Sequence, residues 1–285
     1  MKYKAIYGTH DILPEDLPKW NYVENKIKQV MSLHGYSEIR TPIFEQTELF
    51  IRSIGEETDI VKKEMYTFLD MGKRSITLRP EGTAPIVRAY LEHNLGEKVP
   101  LVKLFYLGPM FRLERPQKGR LREFHQYGAE AIGSMEPLID VEMISLNLEI
   151  FRSLKLEDYK LYLNSIGCPA CRPIHLKNLV SYAKSKKSKL CAECQARMER
   201  NPLRMFDCKK ETCMDELKDA PVMLDFLCDP CKEHFKQVLS YLDYLGVNYL
   251  VDKRLVRGLD YYTRTAFEFK SSLLGTQDTI SGGGR

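Results

Sequence analysis

Two groups of residues in this 285-residue chain have types and spacings that could do chemistry. The first begins with Phe111-Arg112-Leu113-Glu114. A basic loop follows, Arg115-Pro116-Gln117-Lys118-Gly119-Arg120, and then Arg122-Glu123-Phe124-His125-Gln126, leading to Gly128 and Glu130. Both flanks, Leu101 to Leu113 and Arg122 to Ile132, are rich in β-forming residues, which predicts a long antiparallel hairpin. Strand side chains alternate between faces. Arg112 and Glu114 therefore share one face, and Phe124, Gln126, Gly128 and Glu130 share a face of the returning strand. Pairing can bring both rows to one side of the sheet. Such a surface suits an anionic ligand with a planar base. Arg112 can fork onto phosphate oxygens, Phe124 can stack on a purine, and Gly128 leaves room for a ligand to lie close. Residues 103–122 hold six basic side chains and one acidic one, a field that favours a polyphosphate or an RNA end. An exposed hairpin kept soluble by charge has the same composition, so the pattern alone does not decide.

The second group is the eight cysteines. Cys168-Pro169-Ala170-Cys171, Cys191-Ala192-Glu193-Cys194 and Cys228-Asp229-Pro230-Cys231 are two-residue knuckles, and Cys208 and Cys213 form a looser pair. Two residues between cysteines let a knuckle present both sulfurs to one tetrahedral ion. Taken in chain order, the pairs form one set from 168/171 and 191/194, and a second from 208/213 and 228/231. Which pairs share an ion stays open. Three tight pairs and one looser pair in one small domain favour one or two zinc ions over reduced buried thiols, and closed four-sulfur sites would make the metal structural rather than catalytic. His175 and His234 are spare ligands, with exposed or capping roles the simpler reading. His125 faces away from Gln126 and reads as structural.

The elements that must position these groups follow from periodicity. Residues 19–34 carry a helical apolar spacing through Trp20, Val23, Ile27, Val30 and Met31, ended by Gly35. Extended pieces are predicted at Tyr36 to Pro42 and Ser75 to Pro80. Thr83 to Leu95 and Glu136 to Leu154 read as helices, and Tyr159 to Ser165, Tyr249 to Lys253 and Tyr261 to Phe269 as strands. Residues 167–247 hold all the cysteines and a basic run, Lys184 to Lys189, and look mostly helical. They read as an inserted domain within a catalytic domain formed by 1–166 and 248–285. The expected class is α+β, a largely antiparallel sheet flanked by helices. Hydrophobic content of 44% and charged content of 29% are those of an ordinary soluble domain. The net charge of +4 permits a nucleic-acid partner without requiring one. The polar opening, Met1 to Ala5, is no secretory signal, and no apolar run is long enough for a bilayer. No membrane association and a cytoplasmic location are expected, where eight cysteines favour metal over disulfides.

Here the residues resemble a known family. Phe111 to Glu114, the basic loop and Arg122 to Gln126 resemble motif 2 of class II aminoacyl-tRNA synthetases. Leu78-Arg79-Pro80-Glu81-Gly82-Thr83 is similar to the segment that grips the amino acid's α-amino group. Leu255-Val256-Arg257-Gly258-Leu259-Asp260-Tyr261-Tyr262 resembles a block particular to the histidyl family, as does the opening Gly8-Thr9-His10-Asp11-Ile12-Leu13-Pro14. The stretch around Pro42 resembles motif 1, which forms the dimer interface of the class. The resemblance implies a homodimer that joins L-histidine and ATP, with Mg2+, into histidyl-adenylate and then charges tRNA(His).

It also implies roles. Histidine would meet Glu81, Gly82, Thr83, Arg112, Gln126, Glu130, Arg257, Tyr261 and Tyr262. Glu81, Thr83 and Gln126 would hold its ammonium, Glu130 and Tyr262 its imidazole. ATP would meet Arg112, Glu114, Arg120 and Phe124, with Phe124 on the adenine. Arg112 and Arg257, the catalytic pair, would approach the α-phosphate from two sides. Glu114 could place either magnesium or adenine. Arg115 and Gln117 would read the acceptor end, and the insertion at 167–247 would embrace the acceptor stem.

This chemistry suits these residues. Adenylation needs no covalent enzyme intermediate, so the protein positions two anions and offsets charge growing at phosphorus. Imidazole offers a donor and an acceptor. A carboxyl and a phenol would satisfy both, and a phenylalanine would leave them unpaired, a discrimination that can reach about 10⁴–10⁵. The family's motif 3 and anticodon-binding domain are not in the sequence. The end, Ser281-Gly282-Gly283-Gly284-Arg285, resembles the start of a glycine-rich strand, so a C-terminally truncated synthetase with weak activity of its own is expected. A non-catalytic histidine sensor on the same fold is the alternative. The presence of Arg112, Glu114, Gln126 and Arg257 argues for the enzyme. A zinc-dependent RNA-binding module is a second rival.

Overall fold

The computed structural model describes residues 3–56, 58–116, 120–274 and 278–285. The chain divides into two compact units, Met1–Glu157 and Asp158–Arg285.

The first unit begins with α1 (Leu17–Leu33), whose apolar spacing buries Ile27, Val30 and Met31. Gly35 enters the left-handed region (φ 76°), and the Tyr36 N–H then bonds back to the Met31 carbonyl. Short strands β1 (Ser37–Glu38) and β2 (Phe44–Gln46) follow, then α2 (Thr47–Ile54) and a five-residue π-helical turn, Ile60–Glu64. Next come β3 (Thr67–Leu69), β4 (Ser75–Leu78) and α3 (Thr83–Glu92). The predicted hairpin is β5 (Val102–Phe111) with β6 (Glu123–Ile132), and α4 (Pro137–Ser153) closes the unit.

β5 and β6 pair antiparallel with β1 added in parallel, while β2, β4 and β3 form a separate antiparallel sheet. The hairpin register sets Leu104 opposite Glu130, Tyr106 opposite Gly128, Gly108 opposite Gln126 and Met110 opposite Phe124. The expected polar row of β6 is therefore on one face. The other face meets α1 and α4. His125 meets the Trp20 ring of α1 edge-on with centroids 4.7 Å apart, and the Tyr127 hydroxyl donates to Asn147 of α4 at 3.1 Å. Ile86 of α3 packs with Leu104, Tyr106 and Met110 on the front face.

The second unit holds β7 (Lys160–Ser165), α5 (Arg172–Ser185), α6 (Ala192–Arg200), α7 (Glu211–Glu216), α8 (Asp229–Tyr244), β8 (Leu250–Val251), β9 (Thr265–Lys270) and β10 (Thr279–Gly284). Its sheet runs β10-β9-β7-β8, antiparallel except for β7 with β8. Among the described residues, 167–247 contains helices and no strand. The class is α+β, as expected. One element differs from its prediction. β9 starts at Thr265, so Tyr261 and Tyr262 precede the strand. Arg264 takes a left-handed φ of 51°, which breaks the extended run, and the Tyr262 carbonyl is held by Arg172 instead of by a neighbouring strand. Among the described residues no helix is long and apolar enough to cross a membrane.

Candidate active site

The centre of the first unit's site is a pair of carboxyl groups joined through one threonine. Glu81 is buried and accepts the backbone N–H groups of Thr83 (2.7 Å) and Ala84 (2.8 Å), closing the N-terminus of α3. The Thr83 hydroxyl donates to Glu130 at 2.7 Å. Burial raises the pKa of Glu81, against the pull of those two N–H groups. Burial also pushes the Glu130 carboxyl up to about 8; Thr83 pulls it back and Glu81 repels it further. Two carboxyls this close favour a cation or a hydrogen-bond donor between them.

The expected row of β6 carries one difference. A Cβ on Gly128 would collide with the Tyr106 ring, and so would one on Gly82. The space over Gly128 is taken by this phenol rather than kept open for a ligand. The Tyr106 hydroxyl lies 3.3 Å from the Gln126 side-chain oxygen, to which it donates. Tyr106 thus forms the floor that links Gly82, Gln126 and Gly128. Its strand parity with Arg112 is the signal in the sequence that places it on this face.

Arg112 continues the hairpin past β5, its N–H bonding the Arg122 carbonyl at 2.9 Å. Its Nε donates to the Pro80 carbonyl at 2.9 Å, and its guanidinium lies 5.2 Å from the Phe124 ring centroid. Glu114 is 3.9 Å from Arg112 and is paired directly with Arg120, while the Arg122 Nε reaches the Glu114 carbonyl at 3.3 Å. A further carboxyl was missed. Burial and then Glu114 raise the pKa of Glu64, with Arg112 and Arg120 opposing. Only its distance along the chain hid it. Gly8 (φ 90°) lies against Pro116 and Arg122, and its carbonyl accepts the Arg122 N–H at 2.8 Å, tying the N-terminal segment to the hairpin. Arg115 is exposed, and Gln117 lies outside the described residues.

In the second unit, Arg257 is paired with Glu268 of β9, and its guanidinium is 5.6 Å from the Tyr262 ring centroid. Burial disfavours its charge, yet Tyr262 and Glu268 raise its pKa. Its Nε has no hydrogen-bond partner among the described residues. The glycines of β10 make this possible. A Cβ on Gly282 would lie 2.7 Å from Arg257 Nη1, and one on Gly284 would lie 3.0 Å from Tyr262 Cδ1. The Tyr261 and Tyr262 rings meet at a tilt of 52° with centroids 4.6 Å apart.

The cysteines gather into two groups, but not in chain order. Cys168 and Cys171 join Cys228 and Cys231, and Cys191 and Cys194 join Cys208 and Cys213. The helices between the first and last knuckles bring these ends together, which local spacing cannot show. N–H donation, first from Cys171, lowers the Cys168 thiol to about 6, while burial raises Cys231. His175 is buried and bonds the Pro221 carbonyl at 2.8 Å, and His234 lies 3.3 Å from Arg264. Neither histidine belongs to a sulfur group.

Known proteins resemble this chain over most or all of its length. The family model described as histidyl-tRNA synthetase matches residues 8–285. A histidine–tRNA ligase of Halothermothrix orenii is 56% identical over the whole chain, which covers 68% of that relative. A crystal structure of apo S. aureus histidyl-tRNA synthetase is 42% identical with a TM-score of 0.78, over 99% of this chain and 66% of that one. A Bacillus halodurans C structure titled as an ATP phosphoribosyltransferase regulatory subunit/histidyl-tRNA synthetase has a TM-score of 0.71, covering 100% of this chain and 76% of that one. At 21% identity it shows the fold alone. The chain thus spans about two thirds of the length of its curated relatives.

Proposed function

We propose that this chain, which belongs to the histidyl-tRNA synthetase family, is the histidine-activating part of a histidine–tRNA ligase. The observation that carries the reading is the Glu81–Thr83–Glu130 carboxyl pair on the same hairpin face that Arg112 continues. Glu81, Thr83 and Gln126 would hold the ammonium of L-histidine, over the Gly82 backbone. Glu130 would face one imidazole nitrogen, with Tyr262 the other and Tyr261 behind it. At neutral pH an empty-site Glu130 keeps its proton, which a basic imidazole can share.

Arg112 would gather the histidine carboxylate and the ATP α-phosphate, and Arg257 would add a second guanidinium to the same phosphate. The carboxylate oxygen attacks phosphorus, the bond to the β-phosphate oxygen breaks, and pyrophosphate leaves. The arginines favour the charge that grows on the phosphoryl oxygens. Phe124 would stack on adenine, with Glu114 and Arg120 at the nucleotide's edge. Mg2+ bound to ATP would neutralise the leaving phosphates. Glu114 and Glu64 are the carboxylates available to it.

The histidyl group would then pass to tRNA(His), with Arg115 and Gln117 at the acceptor end and residues 167–247 along the stem. The protein would act in the cytoplasm as a homodimer. Exposed Ile43, Phe44, Phe68 and Leu69 near the Pro42 stretch support an apolar contact between copies. The cysteines are assigned to structural Zn2+.

The test is histidine-dependent ATP–pyrophosphate exchange by the whole gene product. Label should enter ATP with histidine present and not without it. Histidine binding with no exchange would instead identify a sensor, and neither would leave an RNA-binding module.

A further inference from the structure

The sulfur groups have a geometry that free thiols do not explain. Within each group all four sulfurs lie within 4.8 Å of one another. Cys168 is 3.6 Å from Cys171 and 3.7 Å from Cys228, Cys171 is 4.0 Å from Cys231, and Cys191 is 4.0 Å from Cys208. A disulfide needs about 2.05 Å. Four sulfurs placed tetrahedrally about 2.3 Å from one zinc ion stand ~3.8 Å apart, and the observed separations fall on both sides of that value. Backbone N–H groups also point at sulfur, from Cys168 to Cys171 and from Cys191 to Cys213, each at 3.2 Å. Such donors favour thiolate over thiol.

The two groups have different surroundings. Cys194, Cys208 and Cys213 sit in a small core with Leu179, Met198 and Met205. The helices there are short, nine residues in α6 and six in α7, and helices of that length are marginal without an added constraint. The Cys168 group closes the base of the helical segment instead. Gly167 (φ 66°) brings the backbone against Cys171, where a Cβ would lie 2.9 Å from the sulfur. Arg172, the next residue, donates to the carbonyls of Ile166 (3.2 Å), Gly167 (3.4 Å) and Tyr262 (2.7 Å). Its charge also offsets the negative excess of four thiolates around one divalent ion.

We propose that the chain holds two structural zinc ions, one in each four-cysteine group, and that the ion at Cys168, Cys171, Cys228 and Cys231 sets the place of Tyr262 through Arg172. Arg172 is a positioning residue. It holds the Tyr262 carbonyl only while the knuckle that precedes it is closed. Four thiolates with no open position select zinc or iron. Nothing in adenylation calls for electron transfer, so zinc is the assignment. The consequence for histidine rests on the role given to Tyr262 above; the metal count does not.

The test begins with elemental analysis of the whole gene product purified with reductant and without chelator. Two zinc ions per chain are expected. Substituting Cys168→Ser with Cys228→Ser should remove one ion, because both serve the same group. Substituting Cys168→Ser with Cys191→Ser should remove both. If these variants do not fold, Co2+ loading of the unaltered protein replaces them, and tetrahedral thiolate absorption should saturate at two equivalents. Less than half an ion per chain, iron in place of zinc, or Co2+ absorption that never develops would overturn the metal assignment. For the coupling, Arg172→Lys should keep both ions and raise the histidine KM about tenfold with the ATP KM unchanged. An unchanged histidine KM, or equal changes for both substrates, would overturn the coupling. Absence of exchange in the unaltered protein would instead strike the proposed activity and leave the metal count standing.

Discussion

Arg112 and Arg257 are both half-buried beside a sheet, each over an aromatic ring, but their partners differ. Arg112 directs its Nε to a neutral carbonyl and meets the Glu114 carboxylate only at 3.9 Å. Arg257 is already joined to Glu268. The first guanidinium can accept an anion at the cost of only a long contact to Glu114, whereas the second must share or exchange a direct partner. Equal residue types, both assigned to one phosphate, need not contribute equally.

The largest expected effect follows from this. Arg112→Gln should lower kcat/KM for pyrophosphate exchange by about 10²–10³-fold, and Arg257→Gln by less. If both act on one phosphate, the double variant should lose less than the product of the single losses. A fully multiplicative loss would break the pairing. The next effect concerns the rings beneath glycines. Gly128→Ala drives a Cβ into Tyr106 and should destabilise the first unit by about 1–3 kcal/mol in urea titrations. Gly282→Ala, aimed at the flexible end of Arg257, should cost less and act mainly on exchange.

Glu130 gives an effect that depends on pH. Its carboxyl titrates near 4.5 when unfolded and near 8 when folded. The folded chain keeps a proton that the unfolded chain releases. Stability is therefore undiminished below the unfolded value and falls as pH rises toward 8, by up to about 1.4 kcal/mol per pH unit. Glu130→Gln should remove that slope, so the variant gains on the parent at pH 8 and not at pH 4. Parallel stability curves would contradict the raised carboxyl. The smallest effect is that of Tyr106→Phe, which keeps the ring and loses the 3.3 Å bond to Gln126. About 0.5–1.5 kcal/mol is expected.

The sequence made legible what local periodicity and spacing encode. Period two placed Phe124, Gln126 and Glu130 on one face and sent His125 to the other, and the register agrees. The cysteine knuckles were readable as pairs. Long-range closure was not readable. Chain order joined Cys171 to the knuckle at 191, while the fold carries residues 228–231 back to it. Tyr261 and Tyr262 looked like strand because aromatic residues favour strands. The left-handed Arg264 and the Arg172 contact, both tertiary, decided otherwise. Tyr106 was hidden by hydrophobicity, which reads as core whether or not the ring also shapes a site.

The carboxyl pair is best tested by calorimetric titration of Glu130→Ala with histidine and, separately, with ATP. Histidine affinity should fall on the order of 10–100-fold, the cost of losing a charged hydrogen-bonding partner, while ATP affinity stays within about twofold of the parent. Equal losses for the two ligands, or unchanged histidine affinity, would contradict the assignment of Glu130 to the amino acid.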